Sequence, residues 1–348
     1  MKIVHFAPFA PHSCGLYEAA RDMVRADMHS RHNVHFVDTG IIVDGKRKAG
    51  QIGAVDSRCD KKIVTANPSE ALTADIIIAH TGIPDNWLVK CQAPIIWIIH
   101  GRPLACFRPE QNGGRESYTL TAGVAKWPRV KAMVTFWNHH VSFWDVIIPK
   151  DKLVSFGAPP IDERRFAPEG KVHDFGVFNG KYNIVIAESW REDVDIYEIT
   201  HGALATAGVI DGLKCHFFAM ETPLKCWNFL VDKMRELNIK GEICGRTSKI
   251  EEVYRAADIL LSPQRITTRS IGEALSCGTP VIAANGNEHA TWTADISDPL
   301  DVANTIKRAI HEIENNPNEV NRRISAARDA FSLAEYSKNM NELYRQVI

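Results

Sequence analysis

Short, nearly continuous apolar runs alternate with stretches of helical spacing along the whole chain. In the first half the runs are Lys2–Phe6, Val34–Val37, Ile76–Ala79, Ile95–Ile99, Ala132–Thr135 and Leu153–Ser155. Each is rich in β-branched residues, as expected of strands buried on both faces of a parallel sheet. Leu16–Ala26, between the first two, carries its apolar residues at helical spacing, which gives the strand–helix–strand rhythm of an open α/β sheet.

The rhythm breaks at Pro159-Pro160 and Pro168-Glu169-Gly170, where proline fixes the backbone and removes a donor. It restarts with predicted strands at Asn183–Ala187, Lys214–Met220, Gly241–Cys244, Asp258–Leu261 and Pro280–Ala284. Helices are predicted over Val194–Ala207, Lys225–Leu237, Ile250–Ala257 and Ser270–Ser276, followed by a long helical tail, Pro299–Ile348. The pattern predicts two α/β lobes of similar size, residues 1–165 and 166–334, with a last helix over 335–348.

The length of 348 residues agrees with two domains, because one hydrophobic core rarely supports so long a chain. Apolar content of 45% and charged content of 24% are those of an ordinary globular protein. A formal charge of −1 excludes wholesale capture of nucleic acid by net charge and leaves room for a local basic groove. Met-Lys-Ile-Val-His-Phe at the N-terminus reads as a strand and not as a signal peptide, and the most apolar runs are far too short to span a bilayer. A cytoplasmic location is the expectation. Eight cysteines, Cys14 to Cys277, show neither a C-x-x-C pair nor metal-ligand spacing and read as buried, reduced thiols. His139-His140 lacks the spacing and the acidic partners of a metal site, so no metal is expected.

In open parallel sheets ligands bind at the carboxyl ends of the strands, where helix N-termini present unpaired N–H groups. The richest such junction is Asp258-Ile259-Leu260-Leu261-Ser262-Pro263, then Ser270-Ile271-Gly272-Glu273-Ala274, ending Cys277-Gly278-Thr279-Pro280-Val281. A helix opening near Thr268–Ser270, flanked by Arg265 and Arg269 and by the hydroxyls of Thr267 and Thr268, suits a diphosphate. Glu273, one turn in, is placed to accept from ribose hydroxyls; a solvated Glu273 and surface arginine ion pairs are the alternative.

This stretch resembles the donor-site signature of retaining GT-B glycosyltransferases, family 4 in particular: strand, Ser-Pro, acid-Gly-aromatic-Gly, then Glu-Ala-x-x-Cys-Gly-x-Pro-Val-Ile-Ala. Gly245-Arg246-Thr247 with Val253–Asp258 resembles the segment that contacts the donor base, and Gly157, Ile161-Asp162 and Phe166-Ala167-Pro168 resemble the family's interdomain hinge. His80 resembles a strand-end His-x-His position, and Ile98-Ile99-His100-Gly101 resembles the histidine of the catalytic domain. The sequence departs from the family in two places. Arg265 stands where the first glutamate of the Glu-x7-Glu pair is expected, and Ser189-Trp190-Arg191 is followed by Glu192-Asp193-Val194-Asp195 without the usual lysine.

The resemblance implies a GT-B fold, two Rossmann-like domains facing a cleft, and transfer of a sugar from a nucleotide donor with retention of configuration and no metal. A UDP-sugar is favoured over a GDP-sugar. It assigns His100, Arg191 and Glu273 to catalysis and Gly15, Arg246, Arg265, Thr267, Thr268, Arg269, Ser270 and Glu273 to the donor. The acceptor is a saccharide or a hydroxymethylated base in DNA, the latter suggested by the unusual sugar loop and by the mix of aromatic and basic residues from Lys126 to Trp144, a segment that reads more readily as a core helix with a wet rim. A non-catalytic nucleotide-sugar-binding protein is the competing class. An epimerase would need carboxylates facing the sugar, which the Arg265 loop does not supply.

Overall fold

The computed structural model describes residues 1–7, 15–43, 46–48, 55–56, 60–80, 86–100, 103, 118–188, 196–218, 232, 234–236, 238, 241, 243–245 and 247–348. Two compact units divide the chain, Met1–Asp162 with Ser332–Ile348, and Glu163–Phe331.

The first unit runs β1 (Lys2–Ala7), α1 (Gly15–His29), β2 (Asn33–Asp38), β3 (Ile41–Val43), β4 (Lys46–Lys48), β5 (Val55–Asp56), β6 (Asp60–Val64) and β7 (Ile76–His80). It continues with α2 (Asn86–Lys90), β8 (Ile95–Ile98), α3 (Tyr118–Ala125), β9 (Val130–Thr135), α4 (Val141–Trp144) and β10 (Leu153–Ser155). The main sheet is parallel, in the order β10-β9-β8-β7-β1-β2. Chain order reverses between β1 and β7, which makes that gap the topological switch point. The six predicted strands are all present. One face of the sheet buries Val4, Phe6, Ile77, Ala79 and Trp97 with Val124, Ala125 and Trp144; the other places Ala7 and Phe36 against Ala20 and Val24 of α1. Burying each large aliphatic or aromatic side chain stabilises the fold by about 1.5–3 kcal/mol. The antiparallel pairs β3–β4 and β5–β6 were not predicted; their strands are two to five residues long, and Lys46-Arg47-Lys48 and Asp60-Lys61-Lys62 are polar runs, unlike the doubly buried strands that the periodicity picks out.

The second unit runs β11 (Tyr182–Ala187), α5 (Ile196–Ala207), β12 (Leu213–Phe218), α6 (Ile250–Ala256), β13 (Ile259–Leu261), α7 (Arg269–Ser276), β14 (Val281–Ala284), β15 (Trp292–Ala294), α8 (Pro299–Asn315) and α9 (Pro317–Asp329). Its sheet is also parallel, in the order β12-β11-β13-β14-β15, with the switch point between β11 and β13. β15 is an addition to the predicted set. Of the strand expected at Gly241–Cys244, the described residues keep an isolated parallel bridge, Phe217 to Ile243. The helix expected at Lys225–Leu237 lies mostly outside the described residues.

The helical tail is three helices. Pro317 has no N–H to continue α8, and Asn316 before it sits at φ −137°, ψ 49°, away from helical values. The third, α10 (Leu333–Val347), starts at Ser332, whose side chain accepts from Glu335 N–H; it belongs to the first unit, packing along α1. No helix among the described residues is long and apolar enough to cross a membrane.

α5 and α8 approach most closely at Gly202, where an added Cβ would lie 2.7 Å from Val302 Cβ and 2.8 Å from Pro299 O. Gly202→Ala gains about 1 kcal/mol of helix propensity and loses about 1–3 kcal/mol to overpacking, so urea unfolding should show net destabilisation. Burial pushes the thiols of Cys215 and Cys277 up to about 12. At about pH 8 a thiol reagent should leave both unmodified in the native protein and label both in denaturant.

Candidate active site

The segment joining β13 to α7 crosses the switch point of the second unit. The Gln264 side-chain amide donates to Glu188 Oε2 at 2.9 Å, linking the loop after β13 to the residue just beyond β11. Asn287, buried in the loop after β14, holds the segment from the other side. Its Oδ1 accepts from the Thr267 hydroxyl at 3.2 Å and from the amides of His289 and Ala290 at 3.1 Å, while its Nδ2 donates to Gln264 O at 3.3 Å. With the Thr267 hydrogen committed to Asn287, the Thr267 oxygen accepts from His289 Nδ1, 2.9 Å away. Burial pushes His289 below its ordinary pKa, which favours this neutral, Nδ1-protonated ring.

α7 therefore starts from a braced turn. Thr268 is its N-cap in extended conformation (φ −73°, ψ 168°) and makes no side-chain cap bond; its hydroxyl lies 2.9 Å from that of Ser270. Gly272 N–H, bonded to Thr268 O at 3.2 Å, is the first amide paired along the helix. The turn before it aims its amides, and the positive end of the helix dipole, out of the helix end. Arg269 and Glu273 form an i, i+4 ion pair at 2.7 Å, with side chains only 10% and 11% exposed. The Arg269 guanidinium also lies over the Phe166 ring, 5.9 Å from its centroid. Arg265 is exposed and close enough to Asp295 to help hold that carboxyl below its usual range, an effect due first to hydrogen bonds from Ser297.

The sequence-predicted residues thus fall into distinct places. Arg265, Thr267, Thr268, Arg269, Ser270 and Glu273 gather on one loop and the first turns of one helix. Within that group Thr267 is buried with its hydroxyl engaged inside the loop, and Glu273 is buried against Arg269, not solvated. In the first unit Gly15 opens α1, where an added Cβ would meet nothing within 4 Å. His100 follows β8, half-buried, with Nε2 2.9 Å from His80 Nδ1. Arg191 and Arg246 lie outside the described residues. Phe136, Trp137 and Trp144 are buried, so these aromatics of the Lys126–Trp144 segment belong to the core. Among the described residues, no group of three or more His, Cys, Asp or Glu is arranged to hold a metal ion.

Glu188, Gln264, Asn287 and His289 escaped the sequence reading. One signal was available: Asn285-Gly286-Asn287 directly after an apolar strand is a turn signature, and Gly286 takes φ 90°.

No protein-family model matches the sequence, and no curated protein matches it. Solved structures match along nearly the whole chain. A glycosyltransferase from Rickettsia africae ESF-5 is 14% identical with TM-score 0.64, covering 99% of this chain and 98% of that one. Anabaena HepE in complex with UDP and glucose is 12% identical with TM-score 0.66, covering 99% and 100%. An alpha-glucosyltransferase in complex with UDP and a 13-mer DNA containing an HMU base is 12% identical with TM-score 0.64, covering 99% of each chain. The fold is GT-B, with one Rossmann-like sheet in each unit.

Removing Arg269 takes an ion-pair partner from the buried Glu273 carboxylate. Arg269→Ala should destabilise the second unit by about 3 kcal/mol, and adding Glu273→Gln should recover part of that loss in a denaturation series, because the buried charge that lost this partner is gone.

Proposed function

We propose that this protein is a retaining glycosyltransferase that moves a sugar from a nucleoside-diphosphate donor, a UDP-sugar in preference to a GDP-sugar, to an acceptor hydroxyl. The observation that carries the reading is the α7 start. It is an amide-rich helix end at the switch point of the second unit, with buried Glu273 one turn behind it in the position of the family's ribose-binding glutamate. UDP is bound in solved proteins of the same fold.

In this reading the second unit takes the donor. The first-turn amides of α7, the hydroxyls of Thr268 and Ser270, and the guanidinium groups of Arg269 and Arg265 stabilise the charge that builds on the departing diphosphate. Arg191 helps to stabilise that charge, and Arg246 contacts the base. Thr267 acts through the loop that it braces. His100, from the first unit, hydrogen-bonds the transferred sugar, and Gly15 allows the ligand to approach the backbone. Arginines and the helix dipole take the place of a metal ion.

A saccharide hydroxyl is the acceptor we favour. The solved complex with HMU-containing DNA supports a modified base as the second reading. Affinity for DNA that falls steeply with salt would favour it.

A thermal-shift screen of UDP-, GDP- and other nucleotide sugars tests the proposal. A ligand at a hundredfold excess over its Kd adds about 2.7 kcal/mol to the stability of the folded state. UDP-sugars should raise the melting temperature, and Glu273→Ala should abolish the shift. No shift with any nucleotide sugar, or an undiminished shift in Glu273→Ala, would overturn the reading.

A further inference from the structure

The chain passes between the two units twice, at Asp162–Glu163 and at Phe331–Ser332. On the second-unit side each crossing carries a buried phenylalanine, Phe166 at 1% exposure and Phe331 at 0%. Both rings lead to the same place, the turn that opens α7.

The first crossing is fastened along its length. Three N–H groups of the Arg255 guanidinium, on α6, donate to backbone carbonyls of the segment that follows the crossing: Nη2 to Arg165 O at 2.7 Å, Nε to Ala167 O at 2.7 Å and Nη1 to Lys171 O at 3.0 Å. Gly170, at φ 139°, leaves the room that this needs, since an added Cβ would lie 2.8 Å from Arg255 Cζ. Arg165 in turn pairs with Glu251 of α6 at 3.0 Å. The segment runs beside α7. Past the end of that helix, a Cβ added at Gly278 would lie 3.4 Å from Pro168 Cβ. At its start, two guanidinium groups lie over the Phe166 ring, that of Arg165 4.8 Å and that of Arg269 5.9 Å from the centroid. Arg269 is the first residue of α7.

The second crossing reaches the turn by another route. The Phe331 ring meets the His289 ring edge to face, with centroids 5.0 Å apart. His289 Nδ1 lies 2.9 Å from the hydroxyl oxygen of Thr267, one residue before the N-cap Thr268. Asn287 ties the same two residues together, its Oδ1 accepting from the Thr267 hydroxyl at 3.2 Å and from His289 N–H at 3.1 Å. A buried ring in a close-packed interior does not shift without disturbing what packs on it, and cation–π and edge-to-face contacts each hold to a preferred geometry. Moving either crossing therefore displaces Arg269 or His289, and the turn with it.

We propose that Phe166 and Phe331 are positioning residues of the α7 turn, and that through them the turn and the two crossings loosen and tighten as one element. Neither ring needs to touch a ligand. An occupant of the turn meets a surface already set by both crossings, and its binding orders both in return. That consequence rests on the donor reading above; the linkage of the three segments does not.

Native-state hydrogen exchange tests the linkage, because segments that open together exchange together. The amides to follow are Gly272, bonded to Thr268 O in the turn, His173, bonded to Glu252 O after the first crossing, and Phe331, bonded to Arg328 O at the second. Asp258, bonded to Asn183 O at the amino end of the sheet, is the reference. His289→Ala removes a half-buried ring and cuts the second route. It should speed exchange of Phe331, Gly272 and His173 about two- to tenfold, the loss of one aromatic contact, and leave Asp258 unchanged. Faster exchange confined to Phe331 overturns the proposal. So does equal acceleration at all of these amides, which marks a loss of global stability alone. Phe166→Leu cuts the first route and should give the same pattern from the other end; if it does not fold, His289→Ala decides. With UDP added to the wild-type protein, exchange should slow at His173 and Phe331 as well as at Gly272. Slowing at Gly272 alone overturns the linkage and leaves the donor reading standing. If UDP slows none of them while His289→Ala gives the linked pattern, the linkage stands and the donor reading falls.

Discussion

A strand buried on both faces of a parallel sheet can carry a polar side chain only if a neighbouring element supplies its hydrogen-bond partner, because an unpaired buried polar group costs about 1–3 kcal/mol. The buried histidines on the strands of both units follow this constraint. In the second unit His216 on β12 lies 3.0 Å from Asn183 Oδ1 on β11 and stacks on Phe175. In the first unit His5 on β1 finds Asp27 on the covering helix, and a file of rings continues over β7 to the half-buried His100 beyond β8. The contacts in the first unit join the interior to the carboxyl edge of the sheet.

The main strands were legible because double burial writes itself as unbroken β-branched runs. Ile76–His80 is buried at every position, and its sequence admits no other reading. What escaped lacks that signature. β15 is three residues long, Trp292-Thr293-Ala294, and follows a polar stretch; it joins the sheet through register with Ile282–Ala284 and the Thr291 hydroxyl accepting from Val281 N–H, a tertiary bond with no local trace. The tail reads as helical throughout, while the place of its first break shows in Pro317 and in the backbone angles of Asn316.

The site divides in the same way. The loop and helix start around Thr268–Glu273 were readable because residues that act together are adjacent in sequence and their spacing is a recognisable pattern. The residues that hold them are not adjacent. Asn287 reaches Thr267 from 20 positions away and Gln264 reaches Glu188 from 76. In the first unit His5 and His80 are 75 positions apart and Asp27 and Tyr344 are 317 apart. His80 and His100 could be singled out one at a time as strand-end histidines. That they form one file with a carboxylate at its base is a property of parallel register, which periodicity does not encode.

The loop from Arg265 to Arg269 bears on how charge is distributed at the helix start. Arg269 is held by Glu273 at 2.7 Å and laid over Phe166, so its charge is largely compensated and its guanidinium is fixed in place. Arg265 is exposed, with its electrostatic partner Asp295 also at the surface, where solvent screens the interaction. The two arginines are therefore unequal. Arg269 is a preorganised donor whose position costs nothing further on binding, because Glu273 already holds it. Arg265 brings its charge from an exposed position, where solvent weakens its interaction with Asp295. An anion at this helix end would meet fixed amides and a fixed guanidinium first, and its residual charge would decide how tightly the Arg265 side of the loop closes on it.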